Sequence, residues 1–300
     1  MELEWTVPEE CGELMLRSFI RGRAGLSASL WKRIKWNGRV TVNGEDVHNA
    51  RMTVRGGDRI HCEWEEETDI IAADIPLSVV YEDEDLLVVD KGPGMIIHPT
   101  HKDICDSLVN ACAGYFASRG ERAGIHPVYR LDRNTTGLVI VAKSAKVQYD
   151  LSRSHDQITR RYIALASGHL EEERGTADAP IGRKPGSIVE WTVRDDGRRA
   201  VTSWEVLGRG EGYDVLRLRL YTGRTHQIRV HMAHLGHPLL GDDLYGGPCG
   251  LIGRQALHAA EAEFRHPRTG EPMRLTAPLP DDMRRLAEKT GVFIKDKEIP

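Results

Sequence analysis

Residues 128–143 read VYRLDRNTTGLVIVAK and set a single carboxylate, Asp132, between two guanidinium groups, Arg130 and Arg133. Neighbouring cations favour the ionised form of a carboxylate, which suits nucleophilic attack or electrostatic anchoring better than proton donation. Arg130, two residues earlier, falls on the same side as Asp132 if the backbone is extended. The Asn-Thr-Thr-Gly turn at 134–137 and the apolar run 138–142 then return the chain to a buried strand. From these residues alone a catalytic carboxylate and a salt bridge at a strand end are both open.

Other groups with chemical potential are weaker. His226, His231, His234 and His237 lie within twelve residues, and two of them are spaced i, i+3. No His-Glu-x-x-His pattern or close cysteine accompanies them, so no metal site is expected. His98 and His126 each precede a proline, which marks a turn rather than a catalytic base. The stretch KGPGMIIHP (91–99) lacks both the Gly-Lys-Ser/Thr ending of a phosphate loop and the three-glycine dinucleotide spacing. A tight turn between strands at 86–89 and 95–97 is expected there, with Lys91 placed near phosphate. The five cysteines are scattered, odd in number and never spaced Cys-x-x-Cys, as in a reducing cytoplasm.

The elements that would carry these groups can be read from periodicity. Strands are expected at 78–81, 85–90, 138–142, 162–167, 201–206, 215–220 and 256–264, and helices at 106–118, 145–155, 225–235 and 281–290. In 215–220 three leucines alternate with Arg217 and Arg219, which predicts a half-exposed sheet, basic on its open face. No apolar run approaches the roughly 18 residues that a membrane helix needs, and the acidic N-terminus has no secretory core.

Residues 11–62 form a different kind of unit. A helix is expected over about 13–23, and a second begins at a cap on Ser27 or Ser29. Asn37-Gly38 and Asn43-Gly44 bracket a strand at 39–42, and another strand follows at 58–62. Net charge over the whole chain is −4, yet residues 17–59 hold ten Lys or Arg against three acids. Such a stretch is the electrostatic footprint of a polyanion partner, with Arg33 and Lys35 among the candidate contacts. The acidic segment EWEEETDIIAAD (63–74) predicts a solvated, self-repelling linker.

RLDRNTTGLVIVAKS closely resembles the catalytic motif of the RluA-like family of pseudouridine synthases. Three further blocks fit that family in the same order: VVYEDEDLLVVDKGPGMIIHPT (79–100), GRTHQIRVHMAHLGHPLLGDDLYGG (223–247) and ALHAAEAEFRHPRTGEPMRLTAPLP (256–280). The basic unit at the N-terminus resembles the RNA-binding fold of the ribosomal-protein-S-four type.

The resemblance implies an α+β catalytic domain at 71–300, with a curved, mixed, largely antiparallel sheet and flanking helices. A small α/β RNA-binding domain would occupy 1–70. It implies isomerisation of uridine to pseudouridine without any cofactor, Asp132 as nucleophile, Tyr162 against the uracil ring and Arg130 in the base stack. The cation paired with the aspartate would be Arg224, with Arg229 the second choice, while Arg133 would touch RNA backbone or solvent. Clusters such as Arg153, Arg160 and Arg161, or Arg198 and Arg199, fit further backbone contacts. Large-subunit ribosomal RNA is the expected substrate, for a cytoplasmic monomer that uses neither DNA nor membrane; the alternatives are a synthase acting on tRNA and a non-catalytic RNA-binding protein that keeps the fold. Tyr129 departs from the family, which usually has histidine there; changed packing or substrate preference is expected rather than lost activity.

Overall fold

A computed structural model describes residues 2–26, 28–65, 70–99, 105–152 and 158–292. Ser27, the Ser29 side chain, Arg153 and the end of the helix expected over 145–155 lie outside the described residues.

The N-terminal part consists of β1 (Glu2–Thr6), β2 (Leu14–Met15), α1 (Leu16–Gly22), α2 (Ala28–Asn37), β3 (Arg39–Val42), β4 (Glu45–Asp46), β5 (Thr53–Val54) and β6 (Arg59–Glu63). Its main sheet runs β1-β6-β3-β4, antiparallel throughout. Leu16, Phe19 and Ile20 of α1 join Leu30 and Ile34 of α2 over Val40, Val42 and Ile60 in a core of their own, against which Ala145 packs from the larger part of the chain. Asn43 and Gly44 both have positive φ, 53° and 87°, the hairpin geometry that Asn-Gly favours.

Three expectations for this region change. Asn37-Gly38 is no hairpin turn: Asn37 ends α2, and the Gly38 N–H donates to the Ile34 carbonyl at 2.8 Å. Strand β1 has no counterpart among the expected elements: Glu2, Leu3, Glu4 and Trp5 alternate, with Leu3 and Trp5 against the core, but over too few residues to declare a strand. The segment 63–74 is a free linker at neither end. Trp64 is buried in the N-terminal core, while Ala73 donates to the Asn110 carbonyl and the Asn110 amide donates to Ile71.

The larger part comprises β7 (Ser78–Glu82), β8 (Leu86–Lys91), α3 (Leu108–Ser118), β9 (His126–Pro127), β10 (Thr136–Ala142), α4 (Ala145–Ser152), β11 (Thr159–Ser167), β12 (Arg174–Asp178), β13 (Ile181–Arg183), β14 (Trp191–Val193), β15 (Val201–Arg209), β16 (Tyr213–Leu220), α5 (Gln227–His234), β17 (Leu257–Arg265), β18 (Pro272–Thr276) and α6 (Asp281–Glu288). Its sheet runs β12-β15-β16-β11-β17-β10-β8-β7, with β18 beside β17 and β9 beside β10. All pairs are antiparallel except β10 with β17, so the sheet is mixed and largely antiparallel, as expected. Among the described residues no helix is long and apolar enough to cross a membrane.

Successive residues of the central strands feed two cores. Leu87, Val89, Val139, Val141, Tyr162 and Ala164 face one side with α3 and α5. Leu86, Val88, Leu138 and Ile140 face the other with α4, and Ile163, Leu165 and Val215 with α6. The basic open face expected on β16 is therefore confined to its second half. Tyr213 and Val215 are covered by α6, and Arg217 pairs with Glu205 of β15 at 2.9 Å.

The parallel junction places the loop that carries Asp132. Gly137 has φ 107°, and a methyl group there would stand 2.3 Å from the Ala259 carbonyl oxygen. Only glycine lets β10 approach β17 this closely. The segment after β8 does not form the second strand expected at 95–97. Its one ladder contact is an isolated parallel bridge between Ile96 and Ser107.

Candidate active site

Asp132 sits in the loop between β9 and β10, and that loop is fastened from below. Lys91, 1% exposed, donates its Nζ to the carbonyls of Gly92 (2.8 Å), Met95 (3.0 Å) and Arg133 (3.0 Å). Arg254 donates to the Asn134 carbonyl, Arg133 to the Gly94 carbonyl, and Gln255 to the Thr135 hydroxyl. Burial lowers the Lys91 pKa to about 8, against the opposing pull of the Asp132 charge. The expectation that Lys91 lies near phosphate is thus corrected: its ammonium is spent on backbone carbonyls under the loop.

One oxygen of Asp132 is held from across the cleft. Arg229, on α5, donates Nη1 to Oδ2 of Asp132 at 3.1 Å. The other edge of the same guanidinium forks onto fully buried Asp242, with Nε and Nη2 at 2.7 and 2.8 Å from its two oxygens. Burial opposes the charge on Arg229, but the hydrogen bonds and charges of Asp242 and Asp132 outweigh it and raise its pKa. The planar guanidinium can serve two carboxylates at once, which a lysine cannot. The pairing expected at Arg224 is therefore found at Arg229. Arg224 instead donates Nε to the Arg199 carbonyl at 2.9 Å, while its backbone N–H is taken by Gln227.

The second oxygen of Asp132 faces His226, whose Nε2 lies 3.8 Å away. Nδ1 of that ring is 2.8 Å from the Tyr245 hydroxyl, which also accepts the Trp191 N–H. His226 has φ 56°, a conformation unusual for a side chain of this size. Burial lowers its pKa, with Arg229 and Arg130 acting in the same direction, against the opposing pull of the Asp132 and Asp242 charges. Tyr162, buried on β11, completes the wall beside Asp132, and burial raises its pKa.

Two spaces open onto this carboxylate. A cleft of about 740 Å³ is bordered by Arg130, Arg133, His98, Val189 and Arg229. A pocket of about 240 Å³ is lined by Tyr129, Arg130, Arg160, Tyr162 and Arg224. A carboxylate with one oxygen anchored by a guanidinium, a flat aromatic wall and a cleft of cations suits chemistry at the sugar of an extruded nucleotide.

Known proteins match this reading. Residues 85–234 fit the family model described as RNA pseudouridylate synthase. The uncharacterized RNA pseudouridine synthase YjbO of Bacillus subtilis is 42% identical over 287 residues, covering 94% of this chain and 98% of that protein. The chain belongs to the RNA pseudouridylate synthase family. The ribosomal large subunit pseudouridine synthase D of Xanthomonas campestris is 42% identical over 270 residues, 83% of this chain and 80% of that protein. The solved structure of human RNA pseudouridylate synthase domain containing 1 superposes with a TM-score of 0.57 at 28% identity, covering 69% of this chain and 85% of that one.

In this pseudouridine synthase, Asp132, Tyr162, Arg130 and Arg224 border the same pocket, and Arg133 borders the adjoining cleft. Arg33 and Lys35 lie on α2 of the N-terminal part, Arg33 half-buried and Lys35 exposed beside the Trp36 ring. The four clustered histidines separate: His231 bonds Thr202 and the Ala179 carbonyl, His237 the Ser167 carbonyl, His226 faces the active carboxylate and His234 is exposed. Among the described residues Asp83, Asp85 and His266 come close enough to share an ion, but Tyr81 and Arg268 already bond those carboxylates. Sequence reasoning missed Asp242 and Tyr245. Both lie in the GDDLYGG segment quoted for the resemblance, where paired aspartates bracketed by glycines were the available signal.

Proposed function

We propose that the protein isomerises uridines of large-subunit ribosomal RNA, with Asp132 acting on the sugar of a base extruded from its stack. The observation that carries this is the Asp132–Arg229–Asp242 chain at the head of a cationic cleft beside Tyr162. In the reaction the N1–C1′ bond breaks, the uracil turns, a C5–C1′ bond forms, and the C5 proton leaves as N1 gains one. No electrons or groups are transferred in net, so the pocket has only to position and stabilise. The Asp132 oxygen turned away from Arg229 is available for attack at C1′ or for removal of the C2′ proton. Arg229 anchors one carboxylate oxygen, Tyr162 gives the freed ring a flat wall, and exposed Arg130 fills the gap the base leaves.

The N-terminal domain, within residues 1–70, supplies grip. Arg17, Arg21, Arg23, Lys32 and Lys35 are exposed on α1, α2 and the segment joining them, with Trp36 71% exposed beside them. The relatives named for the large ribosomal subunit support ribosomal RNA as the substrate. The protein is expected to act as a monomer in the cytoplasm. The test is tritium release from unmodified, C5-tritiated RNA transcripts, wild type beside Asp132→Asn. Release by the wild type from large-subunit transcripts, and none by the variant, is expected. Release from tRNA alone would reassign the substrate, and equal release by both proteins would remove Asp132 from the chemistry.

A further inference from the structure

The 240 Å³ pocket holds a charged group that the chemistry above does not use. Arg160, two residues before Tyr162 on β11, is 8% exposed. Among the described residues its guanidinium makes no ion pair, and its Nε is buried with no hydrogen-bond partner. Its neighbour is the ring of Tyr129, whose centroid lies 5.1 Å from Cζ. Tyr129 is fixed in turn by its hydroxyl, which donates to the Leu138 carbonyl at 3.1 Å. The residue that departs from the family pattern is thus the platform on which Arg160 rests.

A guanidinium withdrawn from water without an anion is costly, and a ring face offsets only part of that cost. Arg130 and Arg224 line the same pocket, so three guanidinium groups converge on it. Among the described residues the carboxylate that lines the pocket, Asp132, is already engaged by Arg229. The space therefore has an excess of positive charge and donors, and a neutral base carbonyl would leave that charge uncompensated. A phosphate matches it in charge and in the planar geometry of the donors.

We propose that this pocket seats a phosphate flanking the target nucleotide, with Arg160 as its buried ligand and Arg224 as the outer one. The assignment rests on the synthase reading. Tyr162 walls the base, Asp132 meets the sugar, and both border the pocket that Arg160 lines, so a phosphate of the same nucleotide is the group within reach.

The experiment is the salt dependence of binding to an unmodified large-subunit ribosomal RNA transcript for wild type, Arg160→Gln and Arg160→Lys. Each phosphate contact to a single strand contributes about 0.7 to the slope of log affinity against log salt. Arg160→Gln is expected to bind about tenfold more weakly near 0.15 M salt, with the slope smaller by about 0.7, and Arg160→Lys to keep the wild-type slope. A wild-type slope in the glutamine variant, with only the rate reduced, would overturn the proposal in favour of an action on the ring. If Arg160→Gln does not fold, ethylation interference on the wild type decides. Ethylating a phosphate on one side or the other of the modified uridine must exclude the RNA from the bound fraction, and no interference at either position refutes the seat. Binding slopes are read without turnover, so loss of the synthase reading would show separately, as absence of tritium release by the wild type.

Discussion

Arg229 and Arg224 lie five residues apart and both border Asp132, yet their surroundings give them different work. Arg229 spans two carboxylates inside the protein, whereas Arg224 is tied to a backbone carbonyl and turned toward the pocket. Arg229→Lys keeps a charge but cannot fork onto Asp242 while reaching Asp132. Its kcat should fall by about 10- to 100-fold with KM little changed, measured by tritium release. Arg224→Gln should raise KM several-fold and leave kcat near wild type. Asp242→Asn leaves a buried guanidinium with one partner fewer, and breaking such a pair costs about 3–5 kcal/mol. Chemical denaturation should show that loss.

Among the elements, the parallel contact of β10 with β17 carries the most. It sets where β10 begins, and the Asp132 loop ends there. A methyl at Gly137 would meet backbone rather than a flexible side chain, so Gly137→Ala should destabilise by about 3 kcal/mol or more. The same junction contains His258, buried, with Nδ1 against the Thr136 hydroxyl and Nε2 on the Ala277 carbonyl. Burial, helped by Arg254, lowers its pKa from 6.5 to about 4. Between those values the unfolded chain binds a proton that the folded one refuses. Stability from this group is therefore complete above pH 6.5 and is lost as the pH falls toward 4, about 3 kcal/mol in all. His258→Gln should flatten that part of the stability profile, as followed by urea titrations from pH 4 to 7.

For the molecule as a whole, a net charge of −4 conceals two opposite regions. Of the ten basic residues in 17–59, all but Arg33 are exposed; Arg39 pairs with Asp46 and Arg55 with Glu13. Reversing Arg21, Lys32 and Lys35 together to glutamate should weaken binding of ribosomal RNA by at least tenfold. It should also make the salt slope shallower by about 2. The kcat at saturating RNA should stay within a few-fold of wild type, because the substitutions lie outside the catalytic sheet. Filter binding across a salt series, beside tritium release at saturation, separates the two effects.

The sequence by itself determined the order of the elements and the reactive carboxylate. The apolar run 138–142 and the alternation in 215–220 are local properties, carried by contiguous residues whatever packs on them. The Arg-Leu-Asp loop and the basic unit at 17–59 were legible for the same reason, since their signals are contiguous. The partner of Asp132 was not. Arg224 and Arg229 are equivalent in one dimension, and the choice fell to the fold when it buried Asp242 beside the second and a carbonyl beside the first. Lys91 reads as a surface cation until the sheet closes over it, because burial depends on what packs from elsewhere in the chain. The short strands β1, β12 to β14 and β18 escaped notice likewise, since a few residues carry too little period to declare a strand before a neighbour pairs with it. The chemistry at Asp132 was local enough to read; the contacts that hold it arise between residues up to 120 positions apart, which only the tertiary structure brings together.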